Sequence, residues 1–123
     1  MRLVNTIGDA AMFVSPDPAE MLDVLIDLRD RVRDTEPALP QVRIGMAFGP
    51  ATARAGDWFG TTVNLASRVT EAAKPGQLLA TDEFAAHAGG PNWKKRRRRN
   101  LKGLDGRLRL CSYEPDRRRH PAR

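Results

Sequence analysis

The chain has a single cysteine, Cys111. No disulfide can form within it, and a reducing, cytoplasmic setting is the natural expectation. Long apolar runs are also missing. No stretch approaches the roughly 20 residues that a membrane span requires. The apolar stretch after Arg2 is broken by Asn5, Gly8 and Asp9, which excludes a signal-peptide reading. There is no internal repeat. What is present is 123 residues, 41% hydrophobic and 29% charged: the composition of one small soluble globular domain.

The net charge is +6 and the sequence pI about 10.4, a balance that favours anionic partners. The excess is local. Lys94-Lys95-Arg96-Arg97-Arg98-Arg99 form one run and Arg117-Arg118-Arg119 another. Without these nine cations the remainder is slightly acidic. The first run has one aromatic neighbour, Trp93, and no nucleic-acid-binding motif frames it. Its simplest reading is a solvated strand or loop edge, and nucleic acid is not an expected partner. A basic nucleic-acid-binding module is nevertheless the reading from a different functional class, and salt-sensitive DNA binding lost on replacing 94–99 would favour it.

Leu3-Val4-Asn5-Thr6-Ile7 reads as a strand, Gly8-Asp9 as a tight turn and 10–14 as the returning strand. Because the chain opens directly on this hairpin, an absent N-terminal portion is expected. Asp17 can cap a helix and Pro18 suits its first turn. Leu22, Leu25, Ile26, Leu28 and Val32 then recur at helical spacing, to about Thr35. Val42, Ile44, Met46 and Phe48 alternate as in a strand. Asp57-Trp58-Phe59-Gly60 reads as a loop, with Trp58 and Phe59 as interface or core anchors. A second helix is expected over 61–73, with Val63, Ala66, Val69 and Thr70 on one side. A short buried strand over 77–81 and a short helix over 82–87 follow. Alternation over 107–113 sets Leu108, Leu110 and Ser112 against Arg107, Arg109 and Cys111. His87 reads as structural and Cys111 as an inert strand residue. The order is that of an α+β or α/β sandwich, with a domain over 1–113 and a basic tail, expected to be disordered, over 114–123.

Four segments together resemble class III adenylate and guanylate cyclases, in wording closest to actinobacterial members. They are Thr6-Ile7-Gly8-Asp9-Ala10-Ala11-Met12-Phe13; Val42-Arg43-Ile44-Gly45-Met46-Ala47-Phe48-Gly49-Pro50; Gly56-Asp57-Trp58-Phe59-Gly60 through Val63-Asn64-Leu65-Ala66-Ser67-Arg68-Val69; and Leu101-Lys102-Gly103. The resemblance implies an α+β, ferredoxin-like βαββαβ sandwich with helices on one face, here lacking its first strand and helices. It also implies a dimer with active sites at the subunit interface and a reaction taking ATP to cyclic AMP and pyrophosphate.

By the same resemblance, Asp9 matches a metal-binding aspartate of a two-ion Mg²⁺ or Mn²⁺ site whose other aspartate lies upstream of this sequence. Asp57 matches the acceptor of the adenine amino group, which points to ATP. Asn5 stands where adenylate cyclases carry a purine-contacting lysine. Asn64 and Arg68 match the transition-state pair, the first orienting the ribose and the second neutralising charge at phosphorus. Lys102 matches a triphosphate-contacting lysine. Each also has a plain structural reading: a turn Asp, a loop carboxylate, a strand Asn, a solvated helical pair and a turn Lys. With one metal aspartate and the purine lysine missing, weak or no activity is expected alone. The alternative is a non-catalytic partner domain that forms heterodimers with another cyclase chain.

Overall fold

A computed structural model describes the backbone of residues 2–7, 10–35, 41–54, 57–101 and 106–115, and side chains over 11–35, 41–51, 60–101 and 106–115. The core is a four-stranded mixed sheet built from β3 (Ile44–Met46), β6 (Leu78–Thr81), β10 (Leu110–Tyr113) and β7 (Trp93–Lys95), in the order β3-β6-β10-β7. β3 runs parallel to β6, whereas β10 is antiparallel to both β6 and β7. A parallel pair needs a crossover connection. Here that connection carries a hairpin, β4 (Thr52–Arg54) with β5 (Asp57–Phe59), and then helix α2 (Thr61–Ala72). Two further antiparallel pairs complete the strands: β1 (Arg2–Ile7) with β2 (Ala10–Val14), and β8 (Arg99–Asn100) with β9 (Arg107–Leu108).

Both faces of the central sheet are covered. β6 is buried along its whole length, and its residues alternate between two clusters. Leu78 and Ala80 join Ile44 and Met46 of β3, Leu22 and Leu25 of α1 (Pro18–Thr35) and Phe84 of α3 (Asp82–Ala88). Leu79 joins Val69 and Ala73 at the end of α2, Leu110 and Leu101. The helices therefore do not share one face, as the family resemblance implied: α1 and α3 lie on one side and α2 on the other. A strand apolar on both faces requires this two-sided cover.

Local signals explain the element ends. Asp17 Oδ1 accepts from the backbone N–H groups of Ala19 and Glu20 at 3.0 and 3.2 Å, which caps α1 as expected. Thr81 Oγ1 accepts from Phe84 N at 3.2 Å at the start of α3. In α1, Leu22 and Leu25 are buried as their spacing predicts, whereas Leu28 is on the solvent side with Val24. In α2 the buried side is formed by Val69 with Leu65 and Ala72, while Val63 and Thr70 are only partly covered.

Two expectations fail. Residues 57–59 form a paired strand, Asp57 opposite Arg54 and Phe59 opposite Thr52, where a loop was expected. The alternation over 107–113 also breaks. Arg109 separates β9 from β10, and Leu110, Cys111 and Ser112 are all buried because α2 covers one face of β10 and the α3 side the other. The edge strand β7 is fixed by Trp93. Its Nε1 donates to Gly89 O at 2.9 Å, and its ring meets Tyr113 and Phe84 edge-on at 5.4 and 6.3 Å.

Candidate active site

Helix α2 carries the candidate pair. Gly60, at φ 126°, turns the chain from β5 into the helix, a conformation that side chains rarely adopt. Its carbonyl accepts the first helical hydrogen bond, from Asn64 N at 3.1 Å. Asn64 and Arg68 follow one turn apart, roughly 6 Å along the axis. They share a stripe beside the buried one: Val69, fully buried, lies about 100° around the helix from Arg68. Burial of one stripe thus fixes the orientation of the amide and guanidinium beside it.

The seating of α2 on β3 is unusually close. A Cβ on Gly45 would lie 2.2 Å from Thr70 N and 2.6 Å from Thr70 Cα, so the helix backbone rests directly on the strand at this point. Gly49 makes a similar allowance for Thr62, whose Oγ1 would be 2.6 Å from an added Cβ. These glycines set the height of the helix, and therefore of Asn64 and Arg68, above the sheet.

Asn64 is exposed, and 36% of the Arg68 side chain remains in solvent. Arg68 Nη1 lies 3.2 Å from both carboxylate oxygens of Glu71, one turn further along. Glu71 was not singled out from the sequence, although opposite charges at i, i+3 on a helix are a readable signal. An exposed helical pair of this kind contributes only about 0.3–0.5 kcal/mol, so Arg68 can exchange Glu71 for a phosphate at little cost.

The other predicted site residues are less fully placed. Asn5 lies on β1 opposite Met12, just after a register shift between Leu3 and Asn5. Asp57 opens β5, and β1 lies beside β5, so the two hairpins bring the backbones of these elements together. The side chains of Asn5 and Asp57 lie outside the described set, as do Asp9 and Lys102 altogether. Among the described residues, no three His, Cys, Asp or Glu side chains gather to hold a metal ion. Asp9, the residue matched to a metal ligand, is not among them. His87 packs its ring on Phe48 at 3.9 Å and sits 2.9 Å from Glu83 O through Nδ1, consistent with a structural role.

A family model for the adenylate and guanylate cyclase catalytic domain matches residues 1–113. The chain belongs to this family. Cyclases of actinobacteria are among its relatives. It is 46% identical over 113 residues to a pH-sensitive adenylate cyclase of Mycobacterium tuberculosis, covering 87% of this chain and 28% of that protein. It is 34% identical over 116 residues to an adenylate cyclase of Streptomyces griseus, covering 91% of this chain and 29% of the relative. The chain thus spans less than a third of either relative's length. The fold matches the crystal structure of an adenylate/guanylate cyclase/hydrolase from Silicibacter pomeroyi with a TM-score of 0.75 at 23% identity, over 94% of this chain and 73% of that one. An adenylate cyclase structure from Trypanosoma brucei matches with a TM-score of 0.66 at 17% identity, over 98% and 72%. Among the described residues, no helix of this cyclase domain is long and apolar enough to cross a membrane.

Proposed function

We propose that this cyclase domain contributes the transition-state half of a shared active site that converts ATP to cyclic AMP and pyrophosphate. The observation that carries the reading is the Asn64–Arg68 pair at the surface of α2, beside its buried stripe, on a helix seated directly against β3. In the reaction, the ribose 3′-hydroxyl gives its proton to water and its oxygen forms a bond to the α-phosphorus, while the bond to the bridging oxygen breaks and pyrophosphate departs. Asn64 orients the ribose by hydrogen bonding. Arg68 leaves Glu71 and neutralises the charge developing on the phosphoryl oxygens. Asp57 accepts from the adenine amino group, Asn5 contacts the purine edge and Lys102 holds the triphosphate. Asp9 is the carboxylate assigned to divalent metal, Mg²⁺ or Mn²⁺.

The arrangement favours work in a pair. Asn64 and Arg68 lie at the surface of α2, where a second chain can reach them. Asn5 stands where a purine-contacting lysine is expected, so a homodimer of this chain should turn over weakly, whereas pairing with a cyclase chain that carries that lysine and a metal set should give activity. A purely non-catalytic pairing role is the alternative. Cytoplasmic placement accords with the single buried thiol.

The test is cyclic AMP formation from Mn²⁺-ATP by the chain alone, and mixed with an active cyclase mutated at its own Asn and Arg equivalents. Activity restored only in the mixture supports the shared site. Full turnover by the isolated chain rejects the half-site reading, and silence in both settings rejects catalysis. Removing either Asn64 or Arg68 should lower activity of the mixture by about 10²–10³-fold.

A further inference from the structure

The basic run is largely exposed, as a solvated strand or loop edge would be, but its two ends have different surroundings. Lys94 and Lys95 lie on the exposed strand β7. Arg97 and Arg99 line a solvent-open cavity of about 380 Å³ with Lys74, Arg96 and Gln77. Its apolar part is formed by Leu79 and Leu110 of the central sheet and by Ala72 at the end of α2. No carboxylate among the described residues lines it.

The four cations are not equivalent. Arg96 is fixed in place: its Nε donates to Ser112 Oγ at 2.8 Å and its Nη2 to Glu114 Oε2 at 2.6 Å. Lys74, Arg97 and Arg99 have no carboxylate partner among the described residues. Three unpaired cations beside a fixed fourth repel one another, and apolar walls focus their field into the cavity. An anion bearing several negative charges relieves that repulsion, and arginine forks suit phosphate oxygens. The cavity volume is within the range of small-molecule sites. It sits at the end of α2, about 12 Å along the helix axis from Asn64, on residues that the cyclase reading does not use.

We propose that this cavity is a second anion site, which takes a small diphosphate- or triphosphate-bearing molecule independently of the active site. Pyrophosphate is the probe, titrated calorimetrically into the full chain. The Arg97→Ala/Arg99→Ala and Lys94→Ala/Lys95→Ala double variants remove the same charge from the same run, but only the first pair lines the cavity. All four side chains are exposed, so folding should survive, which circular dichroism checks. The expected result is saturable binding that weakens at least tenfold in the Arg97/Arg99 variant, less than threefold in the Lys94/Lys95 variant, and less than threefold in Asn64→Ala/Arg68→Ala. Raising the salt concentration should weaken it further. Equal losses in the two cation variants would reduce the site to diffuse charge and overturn the proposal. So would loss confined to Asn64→Ala/Arg68→Ala, which would place the pyrophosphate in the active site. Absence of pyrophosphate binding, with tight binding only to single-stranded DNA or to anionic phosphatidylglycerol vesicles, would overturn it in favour of a macromolecular partner.

Discussion

Gly45 bears more of the site's geometry than any charged residue does. A Gly45→Ala methyl would collide with the backbone of Thr70, which cannot swing aside as a side-chain tip could. Overpacking of this kind costs about 1–3 kcal/mol. It would also lift α2 off β3 and carry Asn64 and Arg68 with it. The variant should therefore show a lower urea midpoint together with a loss of activity in the mixed assay. Cys111 makes a second single-residue prediction. Burial in β10 pushes its thiol up, with Asp82 adding to the effect and Lys95 and Arg109 opposing it. It should resist a thiol reagent at neutral pH in the native state and react promptly in denaturant. That Cys111 lies in a strand was legible; its burial was not, because the alternation set it with Arg107 and Arg109. Gly45's role was not, because a glycine in a strand pattern does not say which backbone will approach it.

At the scale of elements, the outer edge of the sheet depends on a small polar knot. Ser112, fully buried, receives Arg96 and donates to Glu114 at 2.7 Å, which ties the segment after β7 to the end of β10. The Ser112 hydroxyl holds the Glu114 carboxyl below the usual carboxylate range; partial burial opposes this and Arg96 assists. The ionised form is thus favoured by folding. Its contribution is complete above the ordinary Glu range and is lost as the pH falls through the lowered folded value. Amide exchange of β7 should quicken over that acid window in the native chain, and Glu114→Gln should abolish this pH response. Helix α3 offers a simpler case. Thr81→Ala removes its cap and should cost about 1 kcal/mol, read as a shift in the urea midpoint. The start of α1 was readable from the Asp17–Pro18 cap, and the β6 strand from its apolar pattern. The β4–β5 pair was not, because short strands joined by a tight connection carry too few residues to show a period.

Across the whole molecule, β6 is the shared wall of two cores. Leu78 and Ala80 serve the α1–α3 side, and Leu79 serves the α2 side. Damage to one face should therefore reach the other. Leu79→Ala is expected to cost about 2–5 kcal/mol and to raise amide exchange in α1 as well as α2. Acceleration confined to α2 would show that the two layers unfold separately. The family and its α+β order were recognisable from four short segments. The two-sided arrangement of helices was not, since a sequence pattern shows that a strand is buried without showing what covers each side.

The crossover between β3 and β6 has a consequence for how such a domain can lose its activity. A parallel pair cannot exist without a connection of this kind, and Asn64 and Arg68 ride on that connection. Discarding the helix would dismantle the sheet. Loss of this pair's chemistry in a lineage that still needs the fold can thus proceed by exchange of side chains while the helix stays. A retired copy would look intact in outline, and its history would be written at two helical positions one turn apart.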